Sequence, residues 1–225
     1  MRSKSTDCAF NERDTIMPRS LLMVRQFLDH RYFIWTLLAL PSVPMIVALI
    51  NGTPVPDGKP ITEMLLHPTG EFSARFLVIT MALTPLRMLF PTSGFLRWMM
   101  KRRRYFGVAA FFYALLHTLL YIVDMGSLRA ILGEFLALGI WTGWLAMLIF
   151  VSLAVTSTDA AVRKLGTHWK TLQRTVYIAA VATLLHWIFV HNNIGPALVH
   201  FVPLAALELY RVAKIFLPKR ETQGA

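Results

Sequence analysis

The chain has 225 residues, 56% of them hydrophobic, a mean hydropathy of +0.53 and a formal net charge of +11. That composition is too apolar for a water-soluble domain and points to a membrane protein, whose positive charge ordinarily sits in cytoplasmic loops facing anionic lipid headgroups. A nucleic-acid role is not expected. The single cysteine, Cys8, excludes an intrachain disulfide, a cysteine-held iron–sulfur cluster and a C-x-x-C-H site for covalent haem.

Residues 1–31 are polar and charged. They read as a peripheral cytoplasmic segment without a cleavable signal peptide, because the first apolar run is already long enough to span. Runs of about 17 to 25 apolar residues match a hydrocarbon core of about 30 Å. They occur at Tyr32 to Ile50, Phe72 to Phe90, Tyr105 to Val123, Leu138 to Thr156, Leu172 to Val190 and Ala197 to Phe216. The expected fold is all-α: a polytopic six-transmembrane-helix bundle over 32–216, followed by a short tail at 217–225.

Positive charge retained on the cytoplasmic side orients the bundle. Arg2, Lys4, Arg13, Arg19, Arg25 and Arg31 precede the first run, Arg97 and Lys101 to Arg104 follow the second, and Arg163, Lys164, Lys170 and Arg174 follow the fourth. Arg211, Lys214, Lys219 and Arg220 end the chain, whereas the opposite loops hold only Lys59 and Arg129. Both termini are predicted to be cytoplasmic. The run "KRRRY" at Lys101 to Tyr105 reads either as positive-inside anchoring or as a dock for a flavin phosphate or an acidic reductase surface.

Ionisable groups within membrane helices are costly and mark functional or paired positions. His117, in "YALLHTLLYI", lies 12 positions after Tyr105, and His186, in "TLLHWIF", lies 14 after Leu172. At 1.5 Å per residue these are about 18 and 21 Å from the cytoplasmic edge, one depth in the outer half of the membrane. Two imidazoles facing across a bundle can supply both axial ligands of a b-type haem. Arg75, near the outer end of the second helix, is placed to pair with a propionate.

Other readings of these histidines stay open. Either can donate to a backbone carbonyl of a neighbouring helix, while a di-histidine metal site lacks an Asp, Glu or Cys within a turn. His191 and His200, near the periplasmic side, read as interfacial residues, substitute ligands or proton relays. His67 lies in "LLHPTGEF", where Pro68 and Gly70 suggest a turn leading into the second helix. That makes it a solvated loop histidine or one facing a periplasmic partner. Neither His117 nor His186 has a histidine below it at the inner depth, where Gln173, Arg103 and Arg104 fall, so counting supports one haem. Glu208, Asp124 and Glu134 form no intramembrane carboxylate pair, which argues against a transporter.

The stretches "HPTGEFSARFLVITMALTPLR", "RRYFGVAAFFYALLHTLLYI" and "TSTDAAVRKLGTHWKTLQRTVYIAAVATLLHW" resemble the MsrQ (YedZ) family over roughly Leu66 to Phe216. These are haem-binding membrane subunits of the periplasmic methionine sulfoxide reductase system, within the ferric-reductase-like transmembrane group. The resemblance implies His117 and His186 as haem ligands and an electron donor that is a cytoplasmic flavin reductase or quinol. It also implies a periplasmic molybdopterin subunit as acceptor, FMN as a further cofactor and a bacterial inner-membrane location. One departure stands out: Gln173 occupies the family's histidine position in "W-x-x-L-H-R". His168, five residues earlier and drawn in the loop, compensates only if the helix starts sooner. A stand-alone ferric or quinone-linked reductase is the alternative, and the short tail leaves no fused nucleotide module.

Overall fold

The computed structural model describes residues 23, 26–52, 54, 58–191 and 194–216. Cys8, most of the polar N-terminal segment, and the tail from Leu217 with Lys219 and Arg220 lie outside the described residues. Among the described residues the structure is helical, with no strand. The chain divides into two compact units, Met1–Leu40 and Pro41–Ala225.

In the first unit α1 covers Arg31–Ala39. Phe27 and Phe33 rings meet at 4.7 Å, and the Arg31 guanidinium lies 4.8 Å from the Tyr32 ring centre. The expected first span is not one continuous helix, because Pro41 lacks the N–H that would carry the hydrogen-bond ladder onward.

The second unit begins with α2, Ser42–Ile50, and α3, Ile61–Leu89. It continues with α4 (Gly94–Lys101), α5 (Arg103–Met125), α6 (Leu128–Glu134), α7 (Leu138–Val155) and α8 (Asp159–Leu165). The last elements are α9 (Thr167–Gln173), α10 (Val176–His191) and α11 (Ile194–Phe216).

Four helical stretches are long and apolar enough to cross a membrane: α3, α5, α7, and α9 with α10 taken together from Thr167 to His191. A fifth results if α1 and α2 form one broken span. The sixth apolar run does form α11, but His200, Glu208 and Arg211 dilute its hydropathy.

α3 differs from expectation. It starts at Ile61, runs through Pro68 and Gly70, and at 29 residues is about 43 Å long. His67 is therefore helical and not in a loop. Proline and glycine are tolerated inside membrane helices, and here the Thr69 hydroxyl adds a bond to Leu65 O at 2.7 Å within the same turn.

The principal pairings are α3 on α5 and α7 on α10, while α11 rests on α3 and α10. Membrane helices approach closely where side chains are small. Ala74, Ala110 and Ala114 serve the first pair, where Ser73 Oγ donates across the interface to Ala110 O at 2.9 Å. At the second pair a Cβ on Gly139 would meet Val190 Cγ2 at 2.9 Å. The outward faces are apolar, with Leu148 66% and Val199 71% exposed, as lipid solvation allows.

Short caps join the long helices. Ser93 accepts from Leu96 N, Ser127 from Ala130 N and Thr158 from Ala161 N, satisfying first-turn N–H groups. Gly126, with φ of 64°, ends α5 in the left-handed conformation that favours glycine.

Candidate functional site

His117 projects from α5 and His186 from α10, and their ring centres stand 5.9 Å apart with planes at 84°. The two are anchored in the same way. His117 Nδ1 donates to Leu66 O of α3 at 2.9 Å, and His186 Nδ1 donates to Gly139 O of α7 at 2.7 Å. A carbonyl can only accept, so each Nδ1 carries the proton and each Nε2 keeps its lone pair.

Four residues beyond each carbonyl is a glycine. A Cβ on Gly70 would lie 3.1 Å from His117 Nδ1, and one on Gly143 only 2.6 Å from His186 Nδ1. Each imidazole therefore fills the notch left by a missing side chain on the neighbouring helix. Only there can the ring come close enough to reach the carbonyl one turn back.

The two rings border a cavity of about 850 Å³, also lined by Tyr121, Trp144, Met147, Phe150, Thr183 and Trp187. Its walls are mainly apolar and aromatic, as those of ligand and cofactor sites are. The hydroxyls of Tyr121 and Thr183 are buried with no hydrogen-bond partner. Orphaned buried hydroxyls cost stability unless a ligand or water takes them up.

These residues fit a haem. Opposed imidazoles sharing one metal at about 2 Å per nitrogen place their ring centres about 6 Å apart. The carbonyl bonds to Nδ1 supply the outer hydrogen bonds that fix a ligating imidazole, and Tyr121 and Thr183 offer donors to carboxylates. No group of three His, Cys, Asp or Glu that could hold a metal ion occurs among the described residues.

Two further histidines meet at one mouth of this cavity. His67 Nδ1 and His191 Nε2 lie 3.0 Å apart, and both residues line the cavity. Arg75 does not border it: Nη2 holds Glu71 Oε1 at 2.5 Å and Nε donates to His200 Nε2 at 3.3 Å. Glu71 does line the cavity, so Arg75 stands one bond behind the wall. His200 uses its other nitrogen on Pro196 O at 2.8 Å and packs on Trp187 with ring centres 5.3 Å apart. Both of its nitrogens are engaged, which leaves none for a metal.

Gln173 lies elsewhere, on a second cavity of about 1,490 Å³ at the opposite end of the same helices. Its Nε2 reaches Thr156 Oγ1 at 3.4 Å and Leu153 O at 3.5 Å. α9 does start sooner than drawn from the sequence, at Thr167, and so includes His168, yet His168 does not line this cavity. No histidine, cysteine or methionine lines it. Instead Arg103, Arg104, Lys170, Arg174 and Arg211 do.

Sequence reasoning placed His117 and His186 at one depth but missed Gly70, Gly143, Tyr121 and Thr183. The glycines had a visible signal, since each sits in an apolar stretch of a membrane helix where close helix approach is the usual reason for glycine. The hydroxyl pair had none, because burial without a partner is a tertiary property.

Residues 69–184 match the family described as the ferric reductase like transmembrane component. Over 192 residues the chain is 31% identical to proteins of Brucella ovis, Brucella canis and Brucella suis. The aligned stretch covers 84% of this chain and 85% of each relative. Each of these relatives carries the name protein-methionine-sulfoxide reductase heme-binding subunit MsrQ.

Proposed function

The chain belongs to the ferric reductase-like transmembrane family and, within it, to the MsrQ subunits, and from that premise we propose that it is a b-type cytochrome of the bacterial inner membrane. It is a multi-pass membrane protein acting as the haem-binding electron-transfer subunit of a sulfoxide reductase system. In this reading six spans occupy 32–216, both termini are cytoplasmic, and the chain carries one haem. Electrons arrive from a cytoplasmic flavin reductase, with FMN as its carrier, or from quinol. They leave to a periplasmic molybdopterin subunit, which performs the sulfoxide chemistry.

The observation that carries this reading is the His117–His186 pair, with ring centres 5.9 Å apart and Nδ1 of each committed to a carbonyl. Haem, when bound, supplies one-electron iron chemistry that no side chain of this protein offers. His117 and His186 hold the iron through Nε2. Leu66 O and Gly139 O keep the rings in the ligating tautomer and orientation. Trp144, Phe150 and Trp187 exclude water from the cavity, which keeps the local dielectric low. The mouth bears His67 and His191 as imidazole donors, and Glu71 lines it while holding Arg75 behind the wall. Gln173 offers no imidazole at the other cavity, in keeping with a single haem.

The test is an absorption spectrum of detergent-purified protein expressed with ample haem. A Soret band with a reduced b-type α band is expected. Their absence would remove the haem reading.

A further inference from the structure

α6 joins the Gly126 end of α5 to the start of α7, two helices long and apolar enough to cross a membrane, and a link this short between two spans stays at the membrane surface. It is amphipathic. Leu128, Ile131, Leu132 and Phe135 recur at the i, i+3, i+4, i+7 spacing of one helix face, while Arg129 and Glu134 fall on the other side. The protein covers only part of the apolar face. Ile131 is half-buried, and Phe135 packs on Trp144 with ring centres 6.4 Å apart. Leu128 is 70% exposed, Leu132 62%, and Leu136, just past the helix, 83%.

A single exposed leucine needs no explanation, but a run of them on one element marks an interaction surface. Two observations name the occupant. The first is continuity. On both sides in the chain the leucines pass into exposed apolar residues of the spans, Ile122 and Val123 at the end of α5 and Leu138 and Trp141 at the start of α7, where lipid covers a membrane protein. Trp141 stands in the first turn of its span, the level at which tryptophan ordinarily meets the headgroups. The second is charge. Arg129 and Glu134 cancel, and the nearby Asp124 accepts from Thr62 Oγ1 at 2.6 Å. Such a face has nothing to select an anionic headgroup or a charged protein, and it suits the acyl-chain boundary of a neutral lipid.

We propose that α6 is an interfacial helix lying in the plane of the membrane surface, with Leu128, Leu132 and Leu136 inserted at the acyl-chain boundary of the lipid and Arg129 and Glu134 turned to water. Seated in this way, the helix carries Phe135 against Trp144, whose ring meets that of Tyr121 edge-on at 6.3 Å. Tyr121 and Trp144 both line the histidine cavity, so lipid backs one of its walls through α6. The seating of the helix does not depend on what that cavity holds.

The experiment uses the full chain carrying Cys8→Ser, which removes its single cysteine. Into it go, one at a time, Leu128→Cys, Leu132→Cys, Leu136→Cys, Arg129→Cys and Glu134→Cys, each spin-labelled and reconstituted into phosphatidylcholine liposomes. Power-saturation electron paramagnetic resonance compares collision with oxygen, which concentrates among acyl chains, against collision with a water-soluble nickel chelate. Leu148→Cys, on the exposed apolar face of α7, gives the hydrocarbon reference. The ratio of oxygen to nickel collisions should be roughly threefold or more higher at the three leucine positions than at Arg129 and Glu134. Equal ratios at all five positions, or a preference for nickel at the leucines, overturn the proposal and leave the stripe a water-facing surface open to a soluble partner. Labels shielded from both reagents overturn it as well, because protein, such as a second copy of this chain, then covers the stripe. The three leucines are exposed and labelled separately, so a variant that misfolds on gel filtration leaves the others to decide.

Discussion

The two cavities lie in one helix bundle and use opposite chemistry. The histidine cavity is apolar and aromatic, with two imidazoles each braced by a carbonyl and a glycine notch on the adjacent helix. The basic cavity is larger and lined by arginine and lysine, with Gln173 and no histidine in its wall. One end of the helices thus presents imidazoles with their tautomer fixed, and the other presents convergent charge.

The largest effect expected from breaking this contrast is at the imidazoles. His117→Ala and His186→Ala should each abolish the same haem, seen as loss of the Soret band, while Gln173→Ala leaves it intact. A normal low-spin spectrum in both histidine variants would move the ligands elsewhere.

Next come the glycines. Gly143→Ala puts a methyl 2.6 Å from His186 Nδ1, closer than real contacts allow, and the methyl in Gly70→Ala lies 3.1 Å from His117 Nδ1. The ring or the helix must shift, which costs about 1 to 3 kcal/mol in a packed interior. Gly143→Ala should lower haem occupancy and change the low-spin electron paramagnetic resonance signature, with Gly70→Ala milder. Equal, wild-type spectra in the two variants would show that the notches do not set ring orientation.

A smaller change is expected from Tyr121→Phe. It removes a buried hydroxyl that lacks a protein partner, so the bound cofactor loses about one hydrogen bond, worth about 1 kcal/mol. Haem should remain, with a shifted midpoint potential in redox titration. An unchanged potential would leave that hydroxyl without a role toward the cofactor.

The smallest effect concerns the surface. Arg104 beside Asp159 holds that carboxyl below its usual range, its hydrogen bond contributing most. A carboxylate with a lowered folded value stabilises above its unfolded value, and loses that contribution as pH falls through the lowered one. Thermal unfolding of wild type and Asp159→Asn should therefore differ slightly at neutral pH and converge in acid. Both partners are exposed, so salt should shrink the difference as well. A difference that grew on acidification would reverse the assignment.

Much of this organisation was legible in the chain and some was not, for physical reasons. The apolar lengths of α5 and α7 and the equal depths of His117 and His186 follow from rise per residue, which the sequence alone determines. Pro68 and Gly70 misled because they are turn signals in water, where a freed carbonyl finds solvent, but can remain helical in a membrane interior. Pro41 had the reverse effect: it interrupts a run whose apolar composition reads as continuous. Arg75 was expected near the outer end of its helix, but α3 begins at Ile61 and so places it mid-helix. Its pairing with Glu71, one turn back on the same helix, follows the i,i+4 spacing, whereas its bond to His200 at 3.3 Å depends on which face of α3 meets α11, and spacing along one helix does not fix that.

The bond from His117 to the carbonyl of Leu66 has an unusual genetic character. An acceptor that belongs to the main chain survives replacement of the side chain attached to it, so a screen for lost haem would recover the His117 and His186 codons and pass over Leu66. Half of what holds each imidazole in place is thus written in the path of the backbone, where point mutation cannot readily erase it.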